Sequence, residues 1–238
     1  KLLKRNLIYL ESFKIKIIVV DSGHNSKKYL IFFKNIEYIY LKNYSFTKKI
    51  AVAIDRVKTK YCTICPDDDF LFQSSIDYGV SFLEDNPHYS LAHGRYICFY
   101  KRFGYTFHNI RYRNRVNFDI DNVSEKERMV KSLSKYTNVL YSLHRTYILK
   151  ASVNFAIKLS DYSLPELFEI SSSIISSLYG NHKSLPILWM AKDLKRYSNY
   201  SIIDKDSSSS KKNTYVISNF DSFFNEDFIL KFTECLNN

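Results

Sequence analysis

Three consecutive carboxylates, Asp67, Asp68 and Asp69, stand between Pro66 and Phe70 at the end of the strand-like run Lys60 to Cys65. Adjacent acids repel one another, and a divalent cation offsets that repulsion well. Asp oxygens suit Mg²⁺ or Mn²⁺, which take one or two protein carboxylates and fill their remaining positions with water or substrate phosphate. On an extended backbone, alternation sends Asp67 and Asp69 to one side and Asp68 to the other. Such a D-x-D pair can hold one metal against a diphosphate. A solvated acidic loop would carry the same letters. The place at a strand's carboxyl end, where open α/β sheets bind ligands, favours the metal reading.

A general base would have to come from the second half of the chain, where Asp161, Glu166 and Glu169 compete. Ser163-Leu164-Pro165-Glu166 spells a capping box, which commits Glu166 to backbone N–H groups. Glu169 sits between Phe168 and Ile170, and an acid among apolar neighbours suits proton abstraction. Glu169 is therefore the first candidate and Asp161 the second; a solvent-facing helix acid is the bland reading of Glu169. Arg145, in His144-Arg145-Thr146, is placed to meet a diphosphate or an anionic acceptor, although a surface salt bridge explains it nearly as well. The six His residues show no His-x-x-x-His spacing, so a zinc hydrolase is disfavoured, and only His93 beside Gly94 invites a test. No Gly-x-x-x-x-Gly-Lys or Gly-x-Ser-x-Gly occurs. Cys62 and Cys65 form a C-x-x-C without a second pair, which reads as buried structural thiols.

The elements that must position these groups alternate. Lys1 to Ser12 has helical periodicity, and Ile15 to Val20 reads as a strand covered on both faces before Asp21-Ser22-Gly23. Ile36 to Leu41 is a second strand, Thr47 to Lys58 a helix, and Lys60 to Cys65 a third strand. Ser74 to Glu84 is helical, and His88 to Arg115 is β-rich. Ser124 to Tyr136 and Leu149 to Ile157 read as helices, with a strand or turn at Val139 to Leu143. Ser163 to Tyr179 is a helix ending at Gly180. Ser207 to Lys212 is a loop, and Phe220 to Leu236 a terminal helix. The order predicts an α/β fold with a mixed, mainly parallel sheet flanked by helices. Residues 1–120 would be the core and 121–238 a less regular acceptor-side half of the same domain.

Asp21-Ser22-Gly23 after a strand, Thr59-Lys60-Tyr61 leading into the acid triplet, and Phe82-Leu83-Glu84-Asp85-Asn86-Pro87 at a helix end resemble family-2-type glycosyltransferases of the GT-A fold. The order is most similar to a bacterial subgroup with an Asp-Asp-Asp-Phe strand end. The resemblance covers roughly residues 1–100 and thins thereafter. It implies a nucleotide-sugar donor, a Mn²⁺ or Mg²⁺ cofactor, and a glycan or lipid-linked acceptor in surface polysaccharide synthesis, with inversion expected. Asp21, with Ser22 beside it, matches the acid on the base or ribose. Asp67 and Asp69 match the metal-diphosphate pair, with Asp68 between them on the donor side. Asp55, in Ala53-Ile54-Asp55-Arg56, stands where many relatives carry Asn. Arg95, in His93-Gly94-Arg95-Tyr96, is placed for a phosphate or an acidic sugar. Members of the fold open with a strand and a nucleotide-contacting loop. This chain begins in the helix expected after that loop, so an N-terminal truncation is expected.

Composition bounds these readings. The chain has 238 residues, 45% hydrophobic, with 35 Lys+Arg against 24 Asp+Glu and a net charge of +11. That is globular and not disordered composition. No run approaches the ~20 apolar residues of a membrane span, so a cytoplasmic enzyme is expected, drawn by its charge to the anionic inner membrane surface. The main rival is single-stranded nucleic-acid binding. Tyr96, Phe99, Tyr100, Phe103, Tyr105 and Phe107 interleave with Lys101, Arg102, Arg111, Arg113 and Arg115. The aromatics recur at strand period, which favours a half-buried hairpin and no nucleic-acid partner. A nucleotidyltransferase is the second rival.

Overall fold

The computed structural model describes residues 2–22, 35–103, 105–111, 119–121, 124–134, 139–159 and 167–194. Helix α1 (Leu2–Leu10) turns Asn6, Leu7 and Leu10 inward. β1 (Ile17–Asp21) and β2 (Ile36–Tyr40) pair in parallel, from Ile17 opposite Ile36 to Asp21 opposite Tyr40. Leu7 of α1 packs on Val19 of this pair. Helix α2 (Phe46–Arg56) begins at Ser45, whose side chain accepts the Lys48 N–H, and it buries Ile54.

The larger sheet runs β3 (Tyr61–Cys62), β7 (Leu143–Arg145), β5 (Tyr89–Arg102), β8 (Asn181–Asp193) and β4 (Phe70–Leu71), with β6 (Tyr105–Arg111) also on β5. β5 and β8 are parallel, and the other four pairings of this sheet are antiparallel. The fold is thus mixed α/β. Helices α3 (Gln73–Asp85), α4 (Glu125–Ser134), α5 (Thr146–Lys158) and α6 (Leu167–Tyr179) complete it. Leu83, Leu143, Trp189 and Met190 centre one core, and Trp189 Nε1 donates to the Tyr141 carbonyl at 2.7 Å. Ile54, Leu140, Leu149, Val153 and Phe168 make another, between α2, α5 and α6.

Residues through Asp193 form one compact unit, and its sheet draws strands from both sides of residue 120. The strand expected over Lys60 to Cys65 is shorter, since only Tyr61 and Cys62 pair, with Arg145 and His144. β8, the strand on which the site depends, has no counterpart among the strands predicted from sequence. Its register on β5 shifts around Arg95, where the partners step from Ser184 to Leu188 and then Met190. Pro186 lies in that step and offers no N–H for a ladder. Gly94 faces it so closely that a Cβ would meet the Ile187 carbonyl oxygen at 2.4 Å. Among the described residues, no helix is long and apolar enough to cross a membrane. The loop and helix predicted at 207–212 and 220–236 lie outside the described residues.

Candidate functional site

Beyond β3 the chain folds into a turn across Pro66 to Asp69, closed by the Asp69 N–H on the Pro66 carbonyl at 3.3 Å. The alternation expected of an extended triplet is therefore replaced by turn geometry. A Pro followed by short polar residues suits a four-residue turn better than a strand. Asp67 is exposed, Asp68 half-buried and Asp69 buried. Helix α1 holds this turn by its backbone. Asn6 Nδ2 donates to the carbonyls of Pro66 at 3.0 Å and Asp69 at 2.9 Å. Arg5 Nη2 donates to the Asp68 carbonyl at 2.7 Å, and the Tyr9 hydroxyl to that of Leu71 at 2.7 Å. Residues 5, 6 and 9 share a helix face, so one turn of α1 grips the whole acidic segment.

The end of β8 closes the site from the other side. The Asp193 N–H donates to Asp69 Oδ1 at 3.2 Å, and Lys192 Nζ lies 3.8 Å from Asp69 Oδ2. Burial pushes the Asp69 carboxyl up to about 6; Lys192 works against that rise, and the neighbouring Asp68 adds to it. The buried Asp193 carboxylate pairs with Arg5. Lys192 lies over the Tyr141 ring at 4.4 Å and the Tyr96 ring at 5.8 Å. Arg5, Asn6, Lys192 and Asp193 were not among the sequence candidates. For Lys192 and Asp193 a signal was present, because the apolar run from Leu185 to Ala191 ends in Lys-Asp much as the run before Pro66 leads into its acids; for Arg5 and Asn6 there was none.

Among the described residues, no three His, Cys, Asp or Glu side chains converge as a metal cage. Mg²⁺ and Mn²⁺ do not need one when waters and phosphates complete the shell. The carboxylates of Asp67 and Asp69 are hard oxygen donors. The raised Asp69 carboxyl marks a buried acid short of positive charge, which a divalent cation would supply. The donor set fits the cation.

The other predicted residues lie on different elements. At the carboxyl end of β1, Asp21 Oδ2 accepts the Tyr38 hydroxyl at 2.9 Å, and Lys49 Nζ donates to Ser22 Oγ at 3.0 Å. Asp55 is exposed on α2 and pairs with Lys150 of α5 at 2.6 Å. Arg95 is exposed on β5 at the register shift. Arg145 is buried, not a surface residue. Its guanidinium donates to the carbonyls of Tyr89, Leu83 and Asn86 at 2.8, 2.7 and 3.2 Å and to the Tyr61 hydroxyl at 3.2 Å, tying β7 to the end of α3. Glu169 is half-buried in the first turn of α6, next to buried Phe168. Asp161 and Glu166 lie outside the described residues. His93 is fully enclosed, and burial lowers its pKa. Burial also pushes the Cys62 thiol up to about 11 and Cys65 up to about 12, so both are inert thiols.

Residues 2–145 match the family model described as Glycosyl transferase family 2. No curated protein matches. Among solved structures, S. aureus TarS 1-349 superposes with a TM-score of 0.56 at 14% identity, over 81% of this chain and 57% of that one. The same TarS segment in complex with UDP-GlcNAc gives 0.54 at 12% identity, over 80% and 54%. S. aureus TarS at greater length gives 0.53 at 14% identity, over 84% and 36%. The chain thus spans little more than half of the shorter TarS structures. At these identities the likeness speaks for the GT-A fold.

Proposed function

The chain belongs to glycosyl transferase family 2, and we propose that it moves a sugar from a nucleotide-sugar donor to a glycan or lipid-linked acceptor hydroxyl. The observation that carries this reading is the buried Asp69 carboxyl in the turn just before β4, where α1 holds its backbone and the end of β8 meets its carboxylate. TarS, its structural neighbour, has been solved with UDP-GlcNAc and with UDP, which supports a nucleotide-linked donor here.

In this reading Asp67 and Asp69 hold Mn²⁺ or Mg²⁺, with Asp68 at the donor's edge. The bound ion supplies positive charge to the departing nucleoside diphosphate. Asp21 and Ser22 meet the base or ribose, and Lys49, already at Ser22, adds a cation on that side. A carboxylate takes the proton of the acceptor hydroxyl as its oxygen bonds to the anomeric carbon and the sugar–phosphate bond breaks. Glu169 is our first choice for that role and Asp161 the second. One direct displacement inverts the anomeric configuration. The process is surface polysaccharide assembly at the cytoplasmic face of an anionic membrane. Arg95, exposed on β5, is offered to an acidic acceptor.

Thermal denaturation with UDP-sugars, with and without Mn²⁺, tests the centre of the reading. A Mn²⁺-dependent rise in Tm is expected for at least one donor. Asp69→Asn should abolish it and lower turnover by about a hundredfold or more. Its own Tm should not fall, since a neutral isostere removes a carboxylate that burial disfavours. A shift that survives Asp69→Asn would sink the metal assignment.

A further inference from the structure

The β5–β6 hairpin outruns the sheet that supports it. Pairing of β8 with β5 ends at Phe99 opposite Asp193, whereas β6 continues the ladder with Tyr100 opposite Phe107, Lys101 opposite Thr106, and Arg102 opposite Tyr105. Among the described residues, the last three pairs are therefore a two-stranded ribbon. Such a ribbon is marginal in water without a further contact.

What the ribbon presents is unusual for an exposed hairpin. Phe103 in its turn is 81% exposed, Tyr105 72% and Phe107 43%. Directly opposed residues share a face, so Tyr100, Phe107 and Tyr105 lie on the same side. Tyr100 and Phe107 are stacked, with centroids 5.3 Å apart. Phe103 adopts a left-handed backbone, φ 51°. A bulky side chain is disfavoured there, and Asn or Gly would be at ease. The sequence thus keeps a large aromatic at the tip against local preference. Charge agrees with this. Lys101 and Arg102 are the cations of these last pairs, opposite Thr106 and Tyr105, and between Asp85 and Asp119 the sequence has no Asp or Glu to oppose them.

From these features we infer that the ribbon docks on an anionic lipid surface, with Phe103 and Tyr105 entering the headgroup layer and the cations of the last pairs, Lys101 and Arg102, meeting lipid phosphates. Aromatic side chains favour that interface, and Lys and Arg next to it are attracted by acidic lipid. Stacked aromatics leave a single-stranded polynucleotide as the competitor. An aromatic at the very tip of a protruding turn suits a layer that it can enter better than a strand tracking along a groove. The inference deepens the membrane contact of the proposed function and does not depend on sugar transfer.

Cosedimentation of the whole chain with vesicles of phosphatidylglycerol and phosphatidylcholine, without donor or metal, tests it. Binding is expected to the mixed vesicles, to weaken with added salt, and to be slight on phosphatidylcholine alone. Phe103→Asn should lower vesicle affinity about tenfold or more while leaving Tm unchanged or higher, since Asn tolerates the left-handed turn. Tyr105→Ser should act in the same direction. Equal vesicle binding by wild type and both variants would overturn the proposal. So would absence of wild-type binding at low salt, or tighter binding to a single-stranded oligonucleotide than to the vesicles.

Discussion

Asp69 and the histidines of the same sheet are all shut away from water, yet their surroundings differ. Around Asp69 a backbone N–H donates to one oxygen, an ammonium stands near the other, and Asn6 and Arg5 hold the turn behind it. His93, His144 and His182 lie on the neighbouring strands β5, β7 and β8. His182 meets Ser177 of α6, whose serines 171, 172, 173, 176 and 177 are all buried. His144 Nε2 reaches the Val139 carbonyl at 2.9 Å. His144 Nδ1, His182 Nδ1, Ser172 Oγ and Ser173 Oγ find no hydrogen-bond partner among the described residues. Burial raises Asp69 and lowers the histidines, in each case toward the neutral form. For His182 the neighbouring histidines and Arg128 push the same way, whereas Lys192 partly restores the charge of Asp69. One region keeps a carboxylate poised to exchange a proton or meet a cation. The other must stay neutral to stay folded.

Acid should separate the two regions most. Burial takes His144 from 6.5 down to about 4 and His182 from 6.5 down to about 3. Below pH 6.5 the unfolded chain then binds more protons than the folded one, so stability falls as pH drops toward 4. Two such shifts are worth on the order of 5 kcal/mol. Asp69 has the opposite sign. Its folded carboxyl, at about 6 against an ordinary 3.8, takes up a proton before the unfolded one does, so acid returns a smaller amount of stability. Urea unfolding at pH 7 and pH 4 should show a large net loss, and His182→Gln should flatten it. Equal stability at both pH values would break the contrast. The Mn²⁺-dependent donor shift should fade separately, as pH falls through about 6 and Asp69 is protonated.

A pair of substitutions sharpens the same comparison at lower energy. Asn6→Ala removes both bonds to the acidic turn and leaves the Pro66 and Asp69 carbonyls without them. It should cost about 1–3 kcal/mol in chemical denaturation and weaken the Mn²⁺-dependent donor shift. Ser172→Ala removes a buried hydroxyl that makes no bond among the described residues. It should be neutral or stabilising by up to about 1 kcal/mol, since Ala also favours the helix. Equal costs for the two would mean that the polar layers are equally well satisfied.

The acidic turn was legible because local chemistry announces it: apolar strand, Pro, three acids. What surrounds it was not. Arg5 and Asn6 read as the polar face of an amphipathic helix, and nothing in their spacing says that they reach residues some sixty positions away. β8 was missed for a related reason. Pro186 interrupts its pattern, and parallel pairing with β5 depends on a register shift and on Gly94 that become meaningful only once the strands meet. Arg145 shows the same limit from the other side. A basic residue after a strand suggests a ligand or a surface salt bridge, but in the structure its guanidinium serves three carbonyls at the end of α3 and the start of β5, of which the Leu83 bond is buried. Helix positions, fixed by local periodicity, came through well: Thr47 to Lys58 became Phe46–Arg56, and Ser74 to Glu84 became Gln73–Asp85.

Asp55 gives the smallest expected effect and a clean control for Asp69. Both acids sit near a lysine, Asp55 at 2.6 Å from Lys150 and Asp69 at 3.8 Å from Lys192. The shorter pair is the weaker one in consequence, because both of its partners are about half exposed or more, at 64% and 48% of their side-chain surface. Water screens such a pair, and ordering two long side chains offsets most of its attraction. Asp55→Ala should therefore change the unfolding free energy by less than about 0.5 kcal/mol. A role at the donor would show differently, as a weaker nucleotide-sugar shift at unchanged Tm. With its carboxylate engaged toward α5, the expected result is a donor shift equal to wild type. A lost shift would return Asp55 to the nucleotide side and mean that the Lys150 pair opens when the donor binds.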